Sequence, residues 1–271
     1  RPGLNILAAR AARPGLVMVA QEHMNLATHR DDVREAIARH YSRFQAVVVL
    51  TRTDQADYRR LLPGTRIECI PNAVHSLDQK LTDHSRPIVV AAGRLLPQKG
   101  FDLLIPAFAK VVERYPDWQL RIFGSGEKKD ELRALIEELH LYNHVFLMGR
   151  SERFDEELAK ASVFVLSSRF EGLPMVMIEA MTHALPVVSF DCPTGPADVI
   201  EDGVSGFLVP PKDVDGLAEA MMRLLGDREL RRRMGAAARK AVADYAPDVV
   251  MPRWERLFAE LSAARTPAGR G

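Results

Sequence analysis

The sequence predicts an α/β protein of doubly wound parallel sheets, and three observations carry that expectation. Short apolar runs alternate with amphipathic stretches of helical period along nearly the whole chain. With 47% hydrophobic and 27% charged residues among 271, the chain has the composition of an ordinary globular protein large enough for two modest domains. The glycine- and charge-rich segments fall directly after strand-like runs, where sheets of this kind bind their ligands.

Residues 16–20 and 46–50 read as buried strands, and 30–42 between them as a helix with Val33, Ile37 and Tyr41 on one face. A helix over 54–62 stops at Pro63-Gly64, and a strand over 66–70 runs into Pro71-Asn72. Residues 75–87 are polar and unpatterned, so a linker is expected there. Strands are then expected at 88–92, 119–123, 145–147, 163–166, 186–190 and 206–209. The helices between and after them fall at 102–115, 128–139, 154–161, about 174–183, 197–200, 214–225, 229–244 and 249–262. The tail, 263–271, is expected to be disordered.

Charge and cysteine usage exclude several functions. Lys plus Arg (37) nearly cancels Asp plus Glu (36), which argues against broad attraction to nucleic acid. Cys69 and Cys192 lie far apart without ligand-spaced partners, so neither a zinc site nor a disulfide framework is expected. A reducing, cytoplasmic setting suits them. No apolar run approaches the ~18–20 residues that span a bilayer. The start has neither an initiator Met nor the long apolar stretch of a signal peptide, and a fragment is expected.

Four segments carry candidate chemistry. Gly93-Arg94-Leu95-Leu96-Pro97-Gln98-Lys99-Gly100 places two cations on a glycine-bounded loop, where both can reach one diphosphate. Spacing alone leaves open that they are solvated surface cations, and the loop is no Walker motif. Ser167-Ser168-Arg169-Phe170-Glu171-Gly172-Leu173-Pro174 leads into a helix carrying Glu179. Pro174 suits the first helical turn, and N–H groups near Gly172 and Leu173 would face a phosphate. Glu179 sits among Met177, Ile178, Ala180 and Met181, an apolar setting in which a charge needs a partner unless it lies on the outer face. Phe123-Gly124-Ser125-Gly126-Glu127 resembles the start of a dinucleotide fingerprint, but position 129 is Lys. Thr194-Gly195-Pro196 and Asp202-Gly203-Val204-Ser205-Gly206 read as turns.

In order along the chain, GRLLPQKGFDLLIPAF, FGSGE, FLMGR, SSRFEGLPMVMIEAM and LPVVSFDCPTGPADVIEDGVSGFLVPPKD resemble the family 4 group of GT-B glycosyltransferases, over about 87–225. VMVAQEHMN, VVVLTRTD and CIPNAV resemble, more loosely, the later part of that family's N-terminal domain. The resemblance implies a GT-B architecture: a partial N-terminal acceptor-side lobe over 1–80, a donor-binding lobe over 81–244, and a helix over 245–262 that crosses back. It implies retaining transfer of a sugar from a nucleotide-diphosphate sugar to an unspecified acceptor, without a metal ion or other cofactor. Arg94 and Lys99 match the pair that holds the diphosphate; Glu171 and Glu179 match the two acids of the E-x7-E motif, at the sugar and the ribose. Gly93 belongs to the same donor site, Gly172 and Leu173 match backbone donors at the helix start, and Arg150 or Ser151 lies where the base is held. His23 falls near the acceptor-side histidine.

Other readings stay open. The glycine-rich loop that opens the family's N-terminal domain has no counterpart before Leu16, so a binding module or degenerate subunit that cannot transfer is the alternative to an enzyme. Asp213-Val214-Asp215 follows a strand and opens a helix, which favours a helix cap over a metal site. The cationic helix Arg228–Lys240 (RELRRRMGAAARK) is either a solvated face or a peripheral contact with an anionic membrane. Asn25 lacks the spacing of a glycosylation acceptor.

Overall fold

The computed structural model describes residues 2–13 and 15–264. Its elements are α1 (Pro2–Ala11), β1 (Val19–Gln21), α2 (Asp31–His40), β2 (Ala46–Val49), α3 (Arg52–Leu61), β3 (Ile67–Cys69) and β4 (Ile88–Ala92). Then follow α4 (Phe101–Arg114), β5 (Gln119–Phe123), α5 (Lys129–Glu138), β6 (Val145–Gly149), α6 (Phe154–Lys160), β7 (Val163–Leu166) and α7 (Met175–Thr182). The chain continues through β8 (Val187–Phe190), α8 (Pro196–Val199), β9 (Gly206–Val209), α9 (Val214–Leu225), α10 (Arg228–Ala241) and α11 (Pro247–Ala263).

The strands form two parallel sheets, one of three strands in the order β1-β2-β3 and one of six in the order β6-β5-β4-β7-β8-β9. In the larger sheet, alternate residues of one strand serve opposite cores, as the strand period demands. Val89 and Ala91 pack under α4 and α9 with Leu104, Phe108, Met221 and Leu224. Val90 and Ala92 pack on the other side with Met177, Met181 and Ala238. Phe108 is fully buried, and its truncation to Ala would cost about 3–5 kcal/mol. The chain order reverses at β4, which lies between β5 and β7, and a cleft opens at the carboxyl ends of β4, β5 and β6.

α11 lies against the smaller sheet, where Val250, Leu257 and Leu261 pack on Ala46, Val48 and Ile70. Leu50 and Val74 enter the core of the larger sheet and so join the two lobes.

Several expectations need correction. Helix α1 was not expected. Its good helix formers carry only a weak apolar face, since Ile6 and Ala9 point inward while Leu4 and Leu7 are exposed. The first strand is three residues long because its ladder begins only where Val19 meets Ala46. Pro174 is the N-cap of α7, just outside the helix. α10 ends at Ala241, before a single 3-10 turn at Ala243–Tyr245. The stretch 75–87 has no regular element up to β4, yet it is no solvated linker. Thr82 and His84 are buried; Thr82 N–H donates to His183 O at 3.0 Å, and Arg231 donates to His84 O at 3.2 Å. Of the expected disordered tail, Ala263 ends α11, and 265–271 lie outside the described residues.

Candidate active site

The loops that follow β4, β5, β6, β7 and β8 meet at one edge of the larger sheet, and close backbone approach fixes their shape. A Cβ at Gly124 would fall 1.8 Å from Gly93 O, and one at Gly126 2.4 Å from Leu95 O. Gly124 N–H donates to Gly149 O at 2.7 Å, which ties the third loop to the second. Gly100 has φ +64, and a Cβ there would lie 2.0 Å from Ser167 O. The FGSGE glycines therefore serve loop-to-loop contact, whatever their likeness to a dinucleotide fingerprint.

A cleft of about 320 Å³ opens on this edge, lined by Gly93, Arg94, Ser125, Arg150, Ser151 and Phe154, among others. Arg94 is exposed and its guanidinium has no partner among the described residues. Arg150 Nε donates to Ser125 Oγ at 2.9 Å, so that side chain is held at the rim. A deeper cavity, between the start of α4 and α5, is lined by Leu96, Phe101, Leu132 and Leu135 and contains none of the expected site residues.

Lys99 closes a 3-10 turn and runs along Gly93, where a side chain would fall 2.9 Å from its Cδ. Its ammonium meets Glu171 Oε1 at 2.6 Å, and Ser168 Oγ donates to the same oxygen at 2.6 Å. Glu171 is buried and Lys99 nearly so. Two distant loops are thus joined by a charge-assisted pair, which is stronger than a neutral bond. Arg169 braces the same junction, with a bidentate pair to Asp102 at 2.8 and 2.6 Å and a bond to Pro97 O at 2.6 Å. The sequence placed Lys99 and Glu171 at one ligand; that they touch each other, and that Ser168 joins them, was not anticipated.

Glu179 lies one turn beyond Val176, which lines the cleft, and is half-buried. Its carboxylate has no hydrogen-bond or ion-pair partner among the described residues, so no side chain among them is the partner expected for a charge in that stretch. Burial pushes its carboxyl above the ordinary range, and the nearby Asp155 adds to this. Cys192 is buried beside the acid; desolvation first, then Glu171, pushes its thiol up to about 12, so it is no thiolate nucleophile.

The remaining residues come from the boundary between the lobes. His23 is exposed, on the loop after β1, and its carbonyl is where a Cβ at Gly172 would strike, at 2.1 Å. Met24 and Gly172 pair as an isolated antiparallel bridge. Gly172 is therefore required for close approach of the other lobe's backbone as well as for its place before α7. Leu173 is buried in the core beside Met177. Asp213 caps α9 by accepting from Gly216 N–H at 2.9 Å, as the capping reading required. Among the described residues no group of three or more metal-ligating side chains converges. Four cations of the α10 run and its continuation are committed: Arg231 is buried, Arg232 pairs with Glu229, and Arg228 and Arg239 donate to Asp83 O and Leu77 O. No helix among the described residues is long and apolar enough to cross a membrane.

Comparison with known proteins bears on the fold and the family. The chain is 37% identical to an exopolysaccharide phosphotransferase of Streptomyces coelicolor over 97% of its own length and 28% of that protein's. It is 30% identical to the poly(ribitol-phosphate) alpha-N-acetylglucosaminyltransferase of Staphylococcus aureus, covering 80% of this chain and 44% of the relative. The crystal structure of a TarM mutant of S. aureus, in complex with fondaparinux, alpha-GlcNAc-glycerol and UDP, superposes with a TM-score of 0.86 at 27% identity, over 95% of this chain and 54% of that one. The chain thus spans about half or less of the length of these relatives. Residues 76–241 match the Glycosyl transferases group 1 family, and with its two parallel sheets in the GT-B arrangement the chain belongs to that family.

Proposed function

We propose that the chain binds a nucleotide-diphosphate sugar in the cleft at the carboxyl ends of β4, β5 and β6 and serves retaining transfer of the sugar to a glycan or glycoconjugate acceptor. The observation that carries this is the junction of Lys99, Glu171 and Ser168 beside a cleft rimmed by Arg94 and Arg150. Arg94 and Lys99 hold the diphosphate and offset the negative charge that grows on it as the sugar–phosphate bond breaks. This task needs no metal ion where fixed cations and N–H groups supply the positive field. Met177 N–H donates to Pro174 O at 2.9 Å, which leaves the Met175 and Val176 N–H groups at the start of α7 to add to that field. Glu179 accepts from the ribose hydroxyls, which explains why a half-buried carboxylate carries no internal partner. Arg150 and Ser151 flank the base, and His23 stands on the acceptor side.

Glu171 is not free to act as a general base toward water while Lys99 and Ser168 share its Oε1. It instead fixes the lysine and leaves its second oxygen for the donor sugar. The likeness to an exopolysaccharide phosphotransferase and to the amylovoran biosynthesis glycosyltransferase AmsD of Erwinia amylovora (29% identical over 89% of this chain) supports the glycan side of this reading. A thermal-shift panel of nucleotide-diphosphate sugars tests it. A concentration-dependent rise in melting temperature with at least one donor is expected, about 2.7 kcal/mol of stabilisation at a hundredfold excess over Kd. No rise with any donor contradicts it.

A further inference from the structure

The acceptor-side loop after β1 sends one fully buried side chain into the other lobe. Asn25 is 0% exposed. Its Oδ1 accepts from Thr28 N–H at 2.9 Å and caps the 3-10 turn Leu26–Thr28. That bond fixes which way the amide faces, because an N–H must meet an oxygen. The Nδ2 group therefore points at two carbonyls of the larger lobe, Glu171 O at 2.6 Å and Pro193 O at 3.0 Å. Those two residues are already joined, since Glu171 N–H donates to Pro193 O at 3.0 Å. Asn25 thus bridges the main chain that carries the acid to the loop after β8.

The loop that carries Asn25 is itself anchored. Glu22 is buried, its N–H donates to Val48 O at 2.9 Å, and its carboxylate accepts from Asn5 at 2.7 Å and from the Tyr41 hydroxyl. A second tie joins the lobes elsewhere: Asp198 accepts from Arg52 N–H and from the Thr53 hydroxyl, each at 3.1 Å, at the start of α3. The two ties differ in what they reach. Asp198 caps a helix start, whereas Asn25 holds the backbone of the acid.

We propose that Asn25 is a positioning residue for Glu171, so that closure of the N-terminal lobe sets the main chain of the sugar-side acid. This rests on the donor-site reading of Glu171; the physical coupling does not. Asn25→Asp is the discriminating change, because it keeps an oxygen for Thr28 N–H but turns a carboxylate oxygen toward two carbonyls. Hydrogen exchange followed by mass spectrometry, on the full chain without ligand, reads the result.

At pH 8 exchange in 170–174 is expected to rise about tenfold, the equivalent of one or two lost hydrogen bonds. Lowering the pH protonates the carboxyl introduced at position 25, which can then donate to Glu171 O. After correction for intrinsic exchange rates, protection of 170–174 should therefore return toward the native level near pH 5. Asn25→Ser keeps a neutral capping oxygen but is too short for its single hydroxyl to reach both carbonyls, and should show the same rise with no such return; it also stands in if the Asp variant does not fold. Asp198→Ala, which cuts only the other tie, should leave 170–174 within about twofold of the native chain. The proposal is overturned if 170–174 exchanges at the native rate in both Asn25 variants, or if Asp198→Ala loosens it equally. Failure of the native chain to bind any donor leaves these rates meaningful and removes only the role given to Glu171.

Discussion

The two lobes place their polar groups differently. In the smaller lobe, Glu22, Tyr41, Asn5, Thr51 and Asp54 bond to one another and to the backbone, sealed from the cleft, although Glu22 Oε2, His29 Nε2 and the Tyr58 hydroxyl are buried there without a partner among the described residues. In the larger lobe, Lys99, Glu171 and Ser168 pair at the edge of a cleft, while Arg94 and Glu179 beside them have no partner among the described residues. Arg94 is exposed and met by water, but the half-buried Glu179 left unpaired costs stability unless a ligand meets it. Under the donor-site proposal, Arg94 and Glu179 are the groups a ligand would meet, while the bonded groups of the smaller lobe hold its loops.

The steepest test of this contrast is steric. Gly124→Ala places a methyl 1.8 Å from a carbonyl that cannot retreat without moving the loop after β4. A loss of about 4 kcal/mol or more is expected, with the cleft disrupted, measured by denaturant unfolding. Gly64→Ala in the smaller lobe meets nothing within 4 Å and carries only the cost of its φ of +83, about 1 kcal/mol. Equal effects would show that the close approach of the two loops does not govern the site.

Lys99→Met comes next. It leaves Glu171 buried with only the Ser168 hydroxyl on Oε1, and an unfolding free energy lower by about 3 kcal/mol is expected. Native-like stability would mean that the pair is not held as described.

The third test is one of pH and lies in the sealed lobe. Burial pushes the Asp54 carboxyl up to about 6, against the bonds it accepts from Leu26 N–H and the Thr51 hydroxyl. The folded state therefore favours the protonated acid. Its contribution is fullest below the unfolded value near 3.8 and is lost as pH rises through about 6. Asp54→Asn removes that loss, so the stability of the variant relative to the native chain should improve between pH 4.5 and 8, by on the order of 2 kcal/mol. A difference independent of pH would place the titration elsewhere.

Much of the larger lobe was legible because its chemistry is local. The strands over 88–92, 119–123, 163–166 and 206–209 stand where the apolar runs placed them, and the loops after the first two, with the one after β6, carry most residues of the cleft. What was illegible depends on partners distant in sequence. Asn25 shows no signal, since the carbonyl it holds belongs to a residue 146 positions away. Gly172 was read for its place before a helix, and only the fold brings His23 O against it. Helix α1 escaped for a different reason: its apolar residues are spread around its circumference, so the period that marks a core-facing helix is faint.

The central claim is that Glu179 is a ligand-facing carboxylate awaiting the ribose of a sugar nucleotide. Calorimetric titration of the native chain and of Glu179→Gln, with the donor that stabilises the native chain most, tests it directly. Loss of a charge-assisted bond predicts an affinity lower by about a factor of ten or more, with unfolding stability equal to or above the native value because a desolvated charge is gone. An unchanged affinity would contradict the account.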